Sequence, residues 1–163
     1  MSGRFPDLQI RPWQQADGPA CQQLIVSVLK EYGLTPDLDG VDADMLNVDQ
    51  HYRQAGGEFF VVYRGEELLG TAGFVGLDAQ RCELRKMYLA PSARGLGLGR
   101  HLLQLIMMQA KTAGYLQMQL ETASVLKEAI RLYEQNGFTP SCQALHTDRC
   151  DRVYQRTLNE WNA

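Results

Sequence analysis

At 163 residues, with 45% hydrophobic and 21% charged side chains, the chain is long enough to bury a substantial core and has the composition of an ordinary globular domain. A formal charge of -3 and a pI near 5.6 argue against a duplex nucleic-acid binder, which needs a net basic surface. The scattered cysteines Cys21, Cys82, Cys142 and Cys150, an N-terminus lacking the apolar run of a signal peptide, and no stretch of roughly eighteen apolar residues predict a reduced, cytoplasmic chain with no membrane partner and no bound metal.

Leu8-Gln9-Ile10-Arg11-Pro12-Trp13 reads as a first strand. Asp17 is placed to cap a helix with Pro19 in its first turn, and Cys21, Leu24, Ile25, Val28 and Leu29 fall at core-facing spacing. That helix stops near Tyr32-Gly33, before Pro36. Residues 37 to 49 carry Asp37, Asp39, Asp42, Asp44 and Asp49. Asp42 is expected to cap a second short helix through Met45, Val48 and Tyr52, ended by Gly56-Gly57. The period then changes to that of strands: Phe59 to Tyr63, a hairpin turn at Arg64-Gly65-Glu66-Glu67, and a returning strand from Leu68 to Val75.

A further strand runs from Cys82 to Leu89, and a glycine-rich turn follows Ala90-Pro91. Beyond it Leu102, Leu103, Ile106, Met107 and Ala110 mark a core-facing helix, closed by Gly114. Leu116 to Glu121 alternates as a strand. Ser124 is expected to cap the next helix, with Leu126, Ala129, Ile130 and Tyr133 as its apolar positions. Gly137 ends it, Phe138 opens the last sheet region, and Val153, Tyr154 and Leu158 lie in a terminal strand. The order β-α-α-β-β-β-α-β-α-β-β predicts one α/β domain spanning residues 1–163, with its core from about 8 to 158.

The turn Arg94-Gly95-Leu96-Gly97-Leu98-Gly99-Arg100 joins a strand end to a helix start. Glycines there let the backbone approach a ligand, and the free N–H groups of a first helical turn favour an anion. A pyrophosphate suits this geometry, with Arg94 and Arg100 adding charge-assisted contacts. The dinucleotide fingerprint fails, because Arg100 stands where its third glycine belongs, and a Walker A loop would need Gly-Lys-Ser/Thr. Taken alone, the motif also allows a tight turn without a ligand.

With its surroundings the motif says more. Met87-Tyr88-Leu89-Ala90-Pro91, then Arg94-x-x-Gly97-x-Gly99 and an amphipathic helix, resembles the GNAT superfamily of N-acetyltransferases. Ala129-Ile130-Arg131-Leu132-Tyr133-Glu134-Gln135-Asn136-Gly137-Phe138 resembles that family's second signature, and the element order agrees from residue 8 to residue 158. The resemblance implies a mixed, mostly antiparallel sheet flanked by helices on both faces, with acetyl-CoA as the cofactor. It implies that the strand at 82–89 splays from the strand at 116–121, and that the pantetheine arm enters the gap beside the backbone of Met87, Tyr88 and Leu89. The amides of Arg94, Gly95, Leu96, Gly97, Leu98, Gly99 and Arg100 would hold the pyrophosphate. It also implies that Tyr133 lies near the cofactor sulfur and protonates the departing thiolate. Where the family often carries an asparagine, this chain has Leu126, so the contacts expected there are those of the backbone alone.

Acyl transfer to an amine needs the amine neutral, whereas a free alkylamine with a pKa near 10.4 arrives protonated. Glu83, on the strand that resembles the cofactor strand, is the first candidate base, with Glu121 or Glu58 as substitutes. Glu83, Arg85, Met87 and Leu89 share a face unless a bulge, usual in the family, changes the phase. The acceptor expected is a small-molecule amine or amino acid. The aspartates at 37–49 could draw a cation, or Arg53, Arg81 or Arg85 could clamp a substrate carboxylate. A protein acetyltransferase, with an open groove between the loops near Tyr32 and His146, and a non-catalytic acyl-CoA-binding module are the competing readings. His51 and His146 are expected at the surface, Trp13 and Trp161 packed, and paired sheet edges would give a homodimer.

Overall fold

The computed structural model describes residues 4–162. The elements run β1 (Gln9–Pro12), α1 (Gly18–Glu31), β2 (Glu58–Arg64), β3 (Glu67–Gly76), β4 (Arg81–Leu89), α2 (Leu98–Thr112), β5 (Gln117–Thr122), α3 (Lys127–Gln135), β6 (Thr139–Pro140) and β7 (Arg152–Thr157). The sheet order is β1-β2-β3-β4-β5-β7-β6, and every neighbouring pair is antiparallel except β4 with β5.

Strand alternation divides the core in two. On β2, Phe59 and Val61 face α1, where Cys21, Ile25 and Leu29 are buried with Trp13, Met45 and Tyr52. Phe60 and Val62 face the other way, against Leu102, Leu103, Ile106 and Met107 of α2 and against Tyr133 of α3. The helical and strand periods in the sequence are therefore the two sides of one buried sheet. Trp13 and Trp161 are both buried, as expected. The hairpin turn is two residues long, since Arg64 pairs directly with Glu67.

Three capping expectations need correction. Residues 41–53 do not form one helix capped by Asp42; they form a 3-10 turn, Val41–Leu46, and a π-type turn, Asp49–Arg53. Asp42 is fully buried and accepts two hydrogen bonds from Arg149, at 2.7 and 2.8 Å, and one from the Asp37 amide. A charge fixed that firmly to another element cannot turn back to cap its own. Asp17 stands at the start of α1, but its carboxylate accepts from Arg11, Tyr63 and the Gln14 amide instead of from the helix. Ser124 does not cap α3, which begins at Lys127 after Leu126; its hydroxyl donates to Asp151 at 2.7 Å.

The β4 strand contains the bulge on which the placement of its side chains depends. Thr71 pairs with Tyr88 and Gly73 with Arg85, so Lys86 and Met87 together oppose Ala72 alone. Lys86 takes up the irregularity with φ 53, the one positive value at a non-glycine among the described residues. Before the bulge Cys82 and Leu84 face the α2 side, and Glu83 and Arg85 face away. After it, Met87 and Leu89 face the α2 side while Tyr88 joins the α1 side. Glu83 and Arg85 therefore lie on the opposite face from Met87 and Leu89.

Candidate active site

The β4–β5 pairing stops at Glu83 with Gln119. Beyond it the strands diverge and a cavity of about 850 Å³ opens between them. Its floor is Leu84 to Leu89 of β4 and Leu120 to Ala123 on the β5 side. A parallel pair that separates in this way leaves the β4 edge free to receive an extended ligand by strand addition.

The glycine turn forms one mouth of the cavity, through Arg94, Gly95, Gly97, Gly99 and Arg100. Gly95 and Gly97 have φ 77 and 85, the left-handed region in which a side chain is strained. The amides of Gly95, Leu96, Gly97, Leu98, Gly99 and Arg100 donate to no protein acceptor among the described residues. Six unpaired donors in succession at the start of a 15-residue helix are a nest for an anion, and fit a pyrophosphate. Two members of the motif contribute only backbone: Leu96 is 61% exposed, Leu98 is buried in the core, and neither lines the cavity.

The guanidinium of Arg94 is not turned to that nest. It donates to Glu31 at 2.5 and 3.0 Å and to the Leu89 carbonyl at 3.0 and 3.2 Å. Arg100 has no carboxylate partner among the described residues and lines the same mouth, together with Arg131 of α3 and Arg4. The Arg4 guanidinium lies against Gly97, where an added Cβ would come within 2.9 Å of it. Nothing local in the sequence marks Arg4 or Arg131 as neighbours of this turn; only the folded chain brings them there.

Tyr133 of α3 lines the cavity at 6% exposure. Its ring packs against Phe138, with centroids 5.9 Å apart, and its hydroxyl bonds to no protein group among the described residues. Burial, aided by Tyr88 and Cys150 nearby, raises its phenol far above the ordinary value, so the proton is retained. Burial likewise pushes the Cys82 thiol up to about 12 and the Cys150 thiol up to about 11, which leaves neither as a thiolate nucleophile near neutrality.

The far end holds the carboxylates. Glu83, 5% exposed, accepts from Arg85 Nε at 2.5 Å. Glu121 accepts the amides of His146 and Thr147, at 2.6 and 3.1 Å. One ligand atom each from Glu83, Glu121 and His146 lies within 4.8 Å of the others, although the sequence shows no metal-type spacing. Glu58, the other substitute base, is bound to Arg53 and does not line the cavity.

Three of the five aspartates at 37–49, Asp42, Asp44 and Asp49, are paired with cations, while Asp37 and Asp39 are exposed. Lys86 reaches Asp42 at 3.4 Å, Asp44 at 3.1 Å and the Val41 carbonyl at 2.8 Å, and Arg149 closes on Asp42. Burial alone would raise the Asp42 carboxyl, but Arg149, the Asp37 amide and Lys86 together hold it below the usual carboxylate value. Asp49 is paired with Arg53. The loops beside the cavity are fastened down as well. Tyr32 donates to Glu128 of α3 at 3.0 Å, and the His146 loop is tied to Glu121.

The description of the acetyltransferase (GNAT) family matches residues 24–138. Over 128 residues the chain is 42% identical to the uncharacterised N-acetyltransferase YjgM of Escherichia coli strain K12, covering 75% of this chain and 76% of that one. An uncharacterised N-acetyltransferase of Schizosaccharomyces pombe is 31% identical over 140 residues, with coverage of 83% and 84%. A GNAT-family acetyltransferase from Staphylococcus aureus shares the fold at TM-score 0.85 and 24% identity, covering 93% of this chain and 99% of that one. YncA of Salmonella typhimurium, solved with its cofactor acetyl-CoA, shares it at TM-score 0.74 and 22% identity, covering 96% and 97%.

Proposed function

Because the chain belongs to the acetyltransferase (GNAT) family and takes its acetyl group from acetyl-CoA, we propose that it passes that group to the primary amine of a small molecule or amino acid. The observation that carries this reading is the charged tie across the acceptor end. Arg149, in the loop that carries His146, closes on the buried Asp42 of the 37–46 segment at 2.7 and 2.8 Å, so the loops on the two sides of this end are held together. An acceptor as long as a polypeptide needs an open groove between those loops; a small amine needs only the pocket beneath them.

In this reading the nest at residues 95–100 takes the pyrophosphate, and the free β4 edge from Met87 to Leu89 takes the pantetheine arm. The acceptor enters as an ammonium. Glu83, directly or through one water, removes one proton and leaves a neutral amine. The nitrogen lone pair forms a bond to the thioester carbonyl carbon, and a backbone amide near Met87 stabilises the oxyanion. The C–S bond then breaks, its electron pair leaving on sulfur. Tyr133 donates its proton to that thiolate and regains one from the product nitrogen, so a neutral amide and a free thiol remain. The proton held by Glu83 passes to solvent.

Thiol release from acetyl-CoA, measured with small amines and amino acids and in parallel with peptides bearing free N-termini or lysines, tests the acceptor. Turnover of the small amines is expected. Turnover of peptides alone would overturn the small-molecule reading, and acetyl-CoA binding without turnover of any acceptor would favour the acyl-CoA-binding module.

A further inference from the structure

The acceptor end of the cavity contains one open guanidinium fork. Arg85 sits two residues past the last β4–β5 pairing residue, Glu83, on the same face as it. Its Nε is committed to Glu83, yet Nη1 and Nη2 donate to no acceptor among the described residues, and its side chain is 39% exposed where it lines the cavity. The other cations at this end are engaged: Lys86 by Asp42, Asp44 and the Val41 carbonyl, and Arg149 by Asp42. Of the three arginines that the sequence offers as carboxylate clamps, Arg53 is held by Asp49, Glu58 and the Trp13 carbonyl, and Arg81 by Asp78; neither lines the cavity. Two free N–H groups on a planar fork match the two oxygens of a carboxylate.

The position of the fork restricts the acceptor further. Its Nε lies 2.5 Å from Glu83, the group proposed to take the ammonium proton. The sites for opposite substrate charges are thus adjacent, as they are on a molecule whose nitrogen and carboxyl carbon are each about 1.5 Å from one shared carbon. Four carboxylates at this end, Asp42, Asp44, Glu83 and Glu121, stand against the three cations Arg85, Lys86 and Arg149. That near balance offers little to a polycation and suits a zwitterion. Val28, Leu34 and Val41 line the neighbouring wall and would receive an apolar side chain.

We infer that the acceptor is an α-amino acid with an apolar side chain, its carboxylate clamped by the Arg85 fork while its ammonium faces Glu83 and Glu121. The inference rests on the small-molecule reading above and names its substrate class. An amine without the carboxylate leaves the fork desolvated and unpaired, and a peptide N-terminus presents an amide carbonyl in its place.

The test compares leucine, methionine and phenylalanine with their decarboxylated amines and their amides, in the unaltered protein and in Arg85→Gln and Arg85→Lys. Expected in the unaltered protein is kcat/KM about 100-fold higher for the acids, because two charge-assisted bonds are lost with the carboxylate. In Arg85→Gln that ratio should fall to near one, with partial recovery in Arg85→Lys, which keeps the charge without the fork. Retained thermal stabilisation by acetyl-CoA shows that each variant is folded. A ratio near one in the unaltered protein, an unchanged ratio in Arg85→Gln, or turnover of none of the acids overturns the clamp. Amines turned over without preference would leave the small-molecule reading standing, whereas turnover of peptides alone removes both.

Discussion

A single phenol separates a functional role from a packing role in this site. The Tyr133 ring is held by Phe138 and by its place in the larger core cluster, while its hydroxyl faces the cavity without a protein partner. The ring therefore serves the fold and leaves the oxygen free for the role proposed above. Because burial raises the phenol well above its ordinary value, the proton is present through the neutral and mildly alkaline range; as a weaker acid than the thiol, the phenol gives it up to a departing thiolate only as it takes one from the product nitrogen. In Tyr133→Phe the ring and its packing remain and no protein hydrogen bond is lost, so stability should change by less than about 0.5 kcal/mol. The kcat should fall about 100-fold, while the KM for acetyl-CoA stays within about twofold. Steady-state kinetics with a thermal melt of each protein checks both, and unchanged kcat would return Tyr133 to a packing role. Its position was legible because the second signature places a tyrosine on a helix that starts beside the splayed strands. The open fork of Arg85 was legible only as one of three candidate arginines; which of them keeps its nitrogens free depends on where Asp49, Glu58 and Asp78 fall.

At the scale of elements, local period was a sound guide and long-range charge was invisible. Hydrophobic spacing located β2, β3, β5, α1 and α2 to within a residue or two, because each buries one face or stripe against the same sheet. The segment at 41–53 has the pattern of one capped helix, because nothing local shows that Arg149, more than a hundred residues later, claims Asp42. The β4 bulge has the same kind of cause. Lys86 adopts φ 53, at a cost of about 1 kcal/mol for a non-glycine, and in exchange its ammonium reaches Asp42, Asp44 and the Val41 carbonyl. Removing one partner of a buried ion pair costs about 3–5 kcal/mol, so the charge term outweighs the strain. Lys86→Gly relieves the backbone and removes the charge, and the net should be destabilising by about 2–4 kcal/mol. For a domain of this size each kcal/mol lowers the melting temperature by about 2–4 °C, so a fall of roughly 4–16 °C is expected. A melting temperature equal to or above that of the unaltered protein would mean that backbone strain, not the buried pair, dominates at the bulge.

Across the whole molecule, a few buried carboxylates fasten elements to one another by charge as well as by apolar packing. Asp17 joins Arg11 of β1 to Tyr63 of β2 at the start of α1, and Asp42 joins the 37–46 loop to Lys86 of β4 and to Arg149 ahead of β7. For both groups burial raises the carboxyl, but the partners prevail and the folded value lies below the ordinary 3.8. A group whose pKa is depressed on folding binds fewer protons folded than unfolded. Its stabilisation is therefore complete above the unfolded value and is lost as pH falls through the folded one. The melting temperature should hold steady from pH 7 to about 5 and then drop as pH falls below about 4. Asp42→Asn removes one of these titrating groups, so it should be less stable at pH 7 and its loss on acidification should be shallower. The two carboxylates share no hydrogen-bond partner, so the double variant Asp17→Asn/Asp42→Asn should flatten the curve by the sum of the single effects. Melting curves taken in steps from pH 7 to pH 3 would check this, and parallel profiles for the unaltered protein and Asp42→Asn would show that acid lability arises from other groups.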